Sequence, residues 1–387
     1  MPLKPTMNPA RRQLMQLLGA GALLPTWPAL SLAAPGPAEA PRLVVIMLRG
    51  ALDGLAAVPV PGDPAFATLR GELAPTGALP LDGFYALHPS LPTLARWYAE
   101  GQLLVLHALA SPYRERSHFD AQQQLESGGP RPFALSTGWL GRALQATGQG
   151  GVALSPALPV ALRGADQAST WTPSRPGPAD SEDLLTRVQQ LYAGDAALHT
   201  AWQQAMSQRD LGRMASEEPP GNGFAALAEQ AGRFLAAERG PRLAWLESGG
   251  WDTHNQQSKR LARQLASLDQ GLAALRSALG PQWARSTVLV MTEFGRTARP
   301  NGSGGTDHGT GGTAWLAGGA VAGGRVLADW PGLGNRELLE GRDLRPTLDI
   351  RALQAALLQR QFGLGRAALE GGVLPGAPRA LDGLWRV

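Results

Sequence analysis

Apolar residues fall along the chain in two alternating patterns. Short unbroken runs at 43–48, 103–109, 159–162, 243–246, 287–291 and 313–316 each end at a glycine, a proline or a polar loop, and they have the length of buried strands. Between them, at 91–98, 119–125, 184–191, 224–237, 261–279 and 350–357, apolar residues recur at spacings of three and four, which predicts helices with one buried face. Strands alternating with helices imply right-handed crossovers and a mostly parallel sheet covered on both faces, so the pattern predicts one α/β sandwich over 41–387. The Pro- and Gly-rich segments 164–181 and 216–223 read as surface loops bracketing a helical insertion near 181–240. No internal repeat interrupts this order.

The first 34 residues follow neither pattern. Lys4, Arg11 and Arg12 precede an apolar run over 14–24 and then a small-residue stretch ending in Ala33-Ala34, with no acid among them. A basic region, a short hydrophobic region and a cleavage region make an export signal, and the adjacent Arg11-Arg12 points to the twin-arginine route. The run is shorter than the ~20 residues a spanning helix needs and Gly19, Gly21, Pro25 and Pro28 break it up. Cleavage near Ala34 or Ala40 predicts a periplasmic or secreted chain with no stable membrane span.

This leader also explains most of the charge. The chain carries 35 basic and 31 acidic residues, a formal +4, and taking away the leader's three bases leaves 32 against 31. Only Lys4 and Lys259 are lysines, and no basic run or aromatic platform accompanies the arginines, so nucleic acid is not an expected partner. There is no cysteine, which excludes thiol nucleophiles, cysteine metal sites and a formylglycine made from cysteine. Chemistry must rest on carboxylates, imidazoles and hydroxyls.

Such groups gather directly after the predicted strands, where open α/β sheets bind ligands. Arg49 and Asp53 follow the first strand, Arg116, Ser117, His118 and Asp120 the second, Asp252 and His254 the one ending at 246, and Glu293 the one ending at 291. Asp307 and His308 lie in the Gly-rich loop beyond it. Carboxylates and imidazoles on one edge repel or stay protonated unless a cation sits between them, so a divalent metal site is expected. Asp53, Asp252, His254, Asp307 and His308 are the candidate ligands, with Glu293 a further ligand or an acceptor behind them. Mixed Asp/His ligation suits zinc, and oxygen-rich ligation leaves manganese or calcium open. Ser117, where a helix begins, is the candidate nucleophile, and Arg49 and Arg116 are candidate clamps for an anionic substrate. Each also has a plainer reading: Asp53-Gly54 as a turn, Asp252 as a helix cap, Ser117 as an N-cap. His88 and His107 read as packed residues and His199 as an exposed one; His118 and Asp120 fall between.

Several segments together resemble a family of exported bacterial proteins, the domain of unknown function 1501, which is similar to the alkaline phosphatase and sulfatase superfamily. They are 44–50 with Asp53-Gly54, Arg116-Ser117-His118-Phe119-Asp120-Ala121-Gln122, Thr137-Gly138-Trp139-Leu140-Gly141-Arg142, Trp251-Asp252-Thr253-His254, Glu293-Phe294-Gly295-Arg296-Thr297, Gly304-Gly305-Thr306-Asp307-His308-Gly309 and 318–325. The resemblance implies a three-layer αβα sandwich and a metal-dependent hydrolase of phosphate or sulfate esters, with small anionic esters or sulfated or phosphorylated glycans as substrates. It implies Ser117 as nucleophile, Asp53 as the acid after the first strand, and Asp252 with His254 and Asp307 with His308 as ligand pairs. Two features depart from the superfamily pattern: no histidine follows His308, and Ser111-Pro112-Tyr113-Arg114 does not match the sulfatase motif. The second speaks against formylglycine chemistry, and the first keeps open a non-catalytic member that binds an anionic glycan or an envelope partner.

Overall fold

The computed structural model describes residues 40–173, 188–195, 198–199, 202 and 223–386. The leader at 1–34 lies outside the described residues, as do 181–187 and most of 196–222 of the expected insertion.

The described residues form a nine-stranded sheet. Its strands are β1 (Arg42–Leu48), β2 (Leu103–Ala110), β3 (Gly151–Ala153), β4 (Ala168–Thr170), β5 (Leu243–Ser248), β6 (Ser286–Thr292), β7 (Gly312–Ala317), β8 (Arg325–Leu327) and β9 (Leu348–Asp349). The order is β8-β2-β7-β6-β1-β5-β3-β4, with β9 also on β2. Every pairing is parallel except those of β7, which runs antiparallel to both β2 and β6.

β1 lies between β5 and β6, and residues 43–48 are all 0% exposed. A strand buried on both faces has no polar alternation, which is why it reads as an unbroken apolar run. Its residues still point alternately to two cores. Val44, Ile46 and Leu48 pack with α3 (Pro92–Ala99), α6 (Phe224–Ala236) and α7 (Gln257–Leu279). Leu43, Val45 and Met47 pack with α4 (His118–Ser127), α5 (Trp139–Thr147) and α8 (Ile350–Phe362). Two cores on one sheet make the three-layer α/β arrangement, and burying each Val, Leu or Ile contributes about 1.5–3 kcal/mol. Two short helices, α1 (Gly54–Ala57) and α2 (Phe66–Arg70), follow β1.

Two sequence expectations change. The apolar run at 159–162 is a 3-10 turn, Val160–Leu162, opened by Pro159, which has no N–H to give a neighbouring strand. The neighbouring strands are instead β3 and β4, three residues each, hidden in sequence by Gly148, Gly150 and Gly151. The helix α5 is an addition to the predicted ones: Trp139, Leu140, Ala143 and Leu144 form its buried face at helical spacing, in a short segment set between Gly138 and Gly148.

His107 illustrates how polar groups are accommodated in this core. It is 0% exposed in β2, beside a bulge where Ala108 takes φ 52°. Its Nδ1 accepts from the Ala108 N–H at 2.8 Å, so Nε2 carries the proton and donates to the Val58 carbonyl at 3.0 Å. Burial pushes its pKa down to about 4. In the unfolded chain a histidine titrates near 6.5, so between these values the unfolded state binds the extra proton and stability falls as pH falls. Urea unfolding is expected to show this window costing up to about 3 kcal/mol between pH 7 and pH 4. In His107→Leu that part of the pH dependence is expected to vanish; an unchanged slope would show that His107 is not the group responsible.

Candidate metal centre

The carboxyl ends of β1, β2, β5 and β6 share one edge of the sheet, and because β7 runs the other way its start lies there too. The loops after those strands and the Gly-rich loop before β7 therefore meet. Backbone contact enforces the meeting. Gly50 has φ 118°, and a Cβ there would lie 2.6 Å from the Asp252 nitrogen. A Cβ on Gly305 would lie 2.4 Å from the His254 carbonyl, so the two ligand-bearing loops touch only because this residue has no side chain.

Four side chains converge at this edge. The Nε2 atom of His308 lies 3.0 Å from Nε2 of His118, 3.0 Å from Nε2 of His254 and 3.3 Å from Oδ1 of Asp252. The same Asp252 oxygen is 3.0 Å from His254 Nε2 and 3.6 Å from His118 Nε2. Ligand atoms about 2.0–2.1 Å from a tetrahedral zinc would be separated by about 3.3 Å; His118, Asp252 and His308 form one mutually close group near that spacing, and His254 adjoins it through His308 and Asp252.

The outer ring nitrogens show which atoms face that gap. His118 Nδ1 is 2.7 Å from Glu293 Oε1, His254 Nδ1 is 3.2 Å from Asp307 Oδ1, and His308 Nδ1 is 3.0 Å from the Arg116 carbonyl. Each partner is an acceptor, so each Nδ1 carries a proton and each Nε2 turns a lone pair inward. Three lone pairs and a carboxylate oxygen repel one another without a cation, and outer acceptors of this kind orient metal-binding histidines. The donor set fits a divalent ion.

Local charge agrees. Burial would raise the Asp252 carboxyl, but the Arg296 guanidinium, at 2.7 Å, and the surrounding imidazoles hold it below the usual range. The hydrogen bond to Glu293 raises His118, whereas burial and the His118 charge lower His308. Arg296, its side chain 0% exposed, hydrogen-bonds Asp252 and reaches to 3.5 Å from His254 Nε2. It braces one side of the cluster rather than filling it.

The remaining candidates lie around these four. Glu293 is fully buried and accepts from the Gly50 N–H at 2.8 Å and from Gln122 Nε2 at 2.8 Å as well as from His118. Burial pushes its carboxyl up, but these donors outweigh that and hold it low. Asp307 faces His254 Nδ1 and Asn301, not the inward nitrogens; the Asn301 bond is the main reason its carboxyl is held low. Asp53 is not brought to the cluster: it caps α1 through the Ala56 N–H and is bound by Arg70 and Gln257. Arg49 bonds Glu247, Glu126 and Gln122, and the Arg116 guanidinium bonds Asp343 and Glu340. Ser117 is the N-cap of α4, but its side chain makes no capping bond; its N–H donates to the Tyr113 hydroxyl at 3.3 Å, which donates to Asp120 at 3.3 Å.

His118 is the cluster member that sequence reasoning left outside its ligand set. A signal was present: His118 and Gln122 are one helical turn apart on α4, and both point at Glu293.

Among solved structures the chain is similar to a protein of the alkaline phosphatase superfamily from Vibrio parahaemolyticus, with a TM-score of 0.36 and 13% identity over 81% of this chain and 69% of that one. It is similar to the PsFucS1 sulfatase from Pseudoalteromonas sp., with a TM-score of 0.36 and 14% identity over 74% and 64% of the two chains. With Ps i-CgsB, crystallised in complex with k-i-k-neocarrahexaose, the TM-score is 0.33 at 11% identity, covering 72% of this chain and 66%, just under two thirds, of that one. At these TM-scores the likeness transfers no activity. No curated protein matches the chain. One family model does match, over residues 89–373, nearly three quarters of the length. The chain belongs to the family described as "Protein of unknown function (DUF1501)".

Proposed function

We propose that the chain is an exported, metal-dependent hydrolase of phosphate or sulfate esters, with a divalent ion, zinc in the first place, held by His118, His254, His308 and Asp252. The observation that carries this reading is the inward convergence of three imidazole lone pairs and a carboxylate oxygen at one end of a parallel sheet. Bound there, such an ion supplies charge stabilisation for the ester oxygens and for an attacking hydroxyl.

The chain's own residues supply the rest. Ser117, the residue before His118, is placed at the start of α4 with its hydroxyl free of capping, where first-turn N–H groups favour an anionic ester. Its oxygen forms the new bond to phosphorus or sulfur as the bond to the ester oxygen breaks, its proton passing to the departing alcohol, and water then hydrolyses the seryl ester to restore the hydroxyl and release the acid. Burial raises Tyr113, so its hydroxyl stays protonated and orients Ser117 from one side while bonded to Asp120 on the other. Arg116 contributes its carbonyl to His308, and Arg49 acts through Gln122 on Glu293 and so on His118. The leader at 1–34 is the proposed twin-arginine signal. Among the described residues no helix is long and apolar enough to cross a membrane.

Purified protein loaded with zinc, manganese or calcium and offered aryl phosphate, phosphodiester and aryl sulfate panels tests the reading. Ser117→Ala is expected to lower turnover by up to about 10⁶-fold with metal content unchanged, the scale for a lost serine nucleophile. Full turnover in that variant would remove Ser117 from the mechanism. Stoichiometric metal without turnover of any ester would favour the non-catalytic reading, in which the centre binds an anionic glycan or an envelope partner.

A further inference from the structure

Thr253 stands between Asp252 and His254, and Thr306 directly precedes Asp307-His308; both threonines are 0% exposed. Their hydroxyls converge on one atom. Thr253 Oγ1 donates to Gln257 Oε1 at 3.0 Å and Thr306 Oγ1 donates to the same oxygen at 2.6 Å. The Gln257 Nε2 donates in the opposite direction, to Asp53 Oδ2 at 2.6 Å. Gln257 is the first residue of α7, is 1% exposed, and its N–H donates to the Gly304 carbonyl at 3.0 Å. Between the loops themselves the backbone offers one long bond, from the Thr306 N–H to the Thr253 carbonyl at 3.3 Å.

The chemistry of this junction asks for a primary amide. Its oxygen must accept twice and its nitrogen must donate to a buried carboxylate. Glutamate would set a second carboxylate against Asp53, and leucine would leave two buried hydroxyls and one carboxylate oxygen without this partner. Gln257 thus ties the two ligand loops on their buried side, while on the solvent side Asn301 Nδ2 and Ser303 Oγ donate to the His254 carbonyl at 2.9 Å and 2.7 Å.

We propose that Gln257 is a positioning residue that locks the Asp252–His254 loop to the Thr306–His308 loop, so that the inward nitrogens of His254 and His308 are held at ligand spacing before an ion binds. The inference rests on the metal reading for its purpose, but the locking is a property of the metal-free chain.

Hydrogen–deuterium exchange on the metal-free full chain tests it. In Gln257→Leu the peptides covering 249–256 and 301–309 are expected to exchange together, on the order of 10-fold faster, with β1 and β6 unchanged. A merely structural loss would accelerate exchange throughout. Competition with a chelator is expected to show Zn²⁺ affinity down about 10–100-fold, the scale for residues that orient metal ligands, with a changed Co²⁺ d–d spectrum. If Gln257→Leu does not fold, Thr306→Val and Thr253→Val carry the test, since each deletes one hydroxyl at nearly constant shape. Exchange that rises in one loop alone or in neither, with Zn²⁺ affinity within twofold of the parent, would overturn the proposal. A parent chain that binds no metal would overturn the functional reading while leaving the exchange test intact.

Discussion

His308→Ala is expected to abolish stoichiometric metal uptake, with Zn²⁺ affinity reduced by more than the ~100-fold that removal of a merely supporting residue costs. The expectation follows from position. His308 Nε2 is the atom that touches every other inward ligand, at 3.0 Å from two imidazoles and 3.3 Å from Asp252, so its loss opens the set from four donors to three and separates His118 from His254. The fold should survive, because His308 lies in a loop and is partly exposed, and its carbonyl keeps the bond from Arg342 at 2.8 Å when the ring's contacts with the Arg116 carbonyl and Phe294 are removed. Elemental analysis and chelator competition read the effect, with His88→Ala as a control for removing a histidine elsewhere. Retention of one metal per chain in His308→Ala would mean that the convergence of imidazoles is not a metal centre.

The parts of this centre differ in how far the sequence reveals them. Asp252, His254, Glu293 and His308 were legible because each comes directly after a buried apolar run or in the loop that follows one, and sheet geometry sends such loops to one edge. Their division of labour was not. Glu293 and Asp307 hold outer nitrogens while Asp252 faces inward, and that distinction depends on side-chain direction. His118 was masked by its neighbour: a serine before a helix draws the eye as nucleophile or cap. Arg49 and Arg116 read as clamps for an anionic substrate because their carboxylate partners, Glu247 and Asp343, stand about two hundred residues away and mark themselves by no pattern. Strand direction was equally silent. The run that became β7 is buried throughout like the mutually parallel strands of the sheet, since burial on both faces sets composition whatever the direction.

Asp53→Ala is expected to destabilise the metal-free protein by about 3–5 kcal/mol, the range for breaking a buried ion pair from one side. Asp53 is 1% exposed, and its Oδ2 lies 2.5 Å from Nη2 of Arg70, whose side chain is 0% exposed. Without the carboxylate, the guanidinium keeps two carbonyl contacts, Thr297 at 3.3 Å and Ala298 at 3.2 Å, which satisfy donors but do not neutralise charge. The Ala56 N–H loses its cap and Gln257 its acceptor at the same time. Replacing both partners, in Asp53→Ala with Arg70→Met, is expected to recover much of the loss, because the apolar pair leaves no charge stranded. Denaturant unfolding of the four proteins without metal gives the cycle. The comparison also separates two roles for Asp53. A ligand at this position would take metal binding with it and leave metal-free stability nearly unchanged, whereas a buried counter-ion to Arg70 shows its loss before any metal is added, and the Arg70 substitution relieves it.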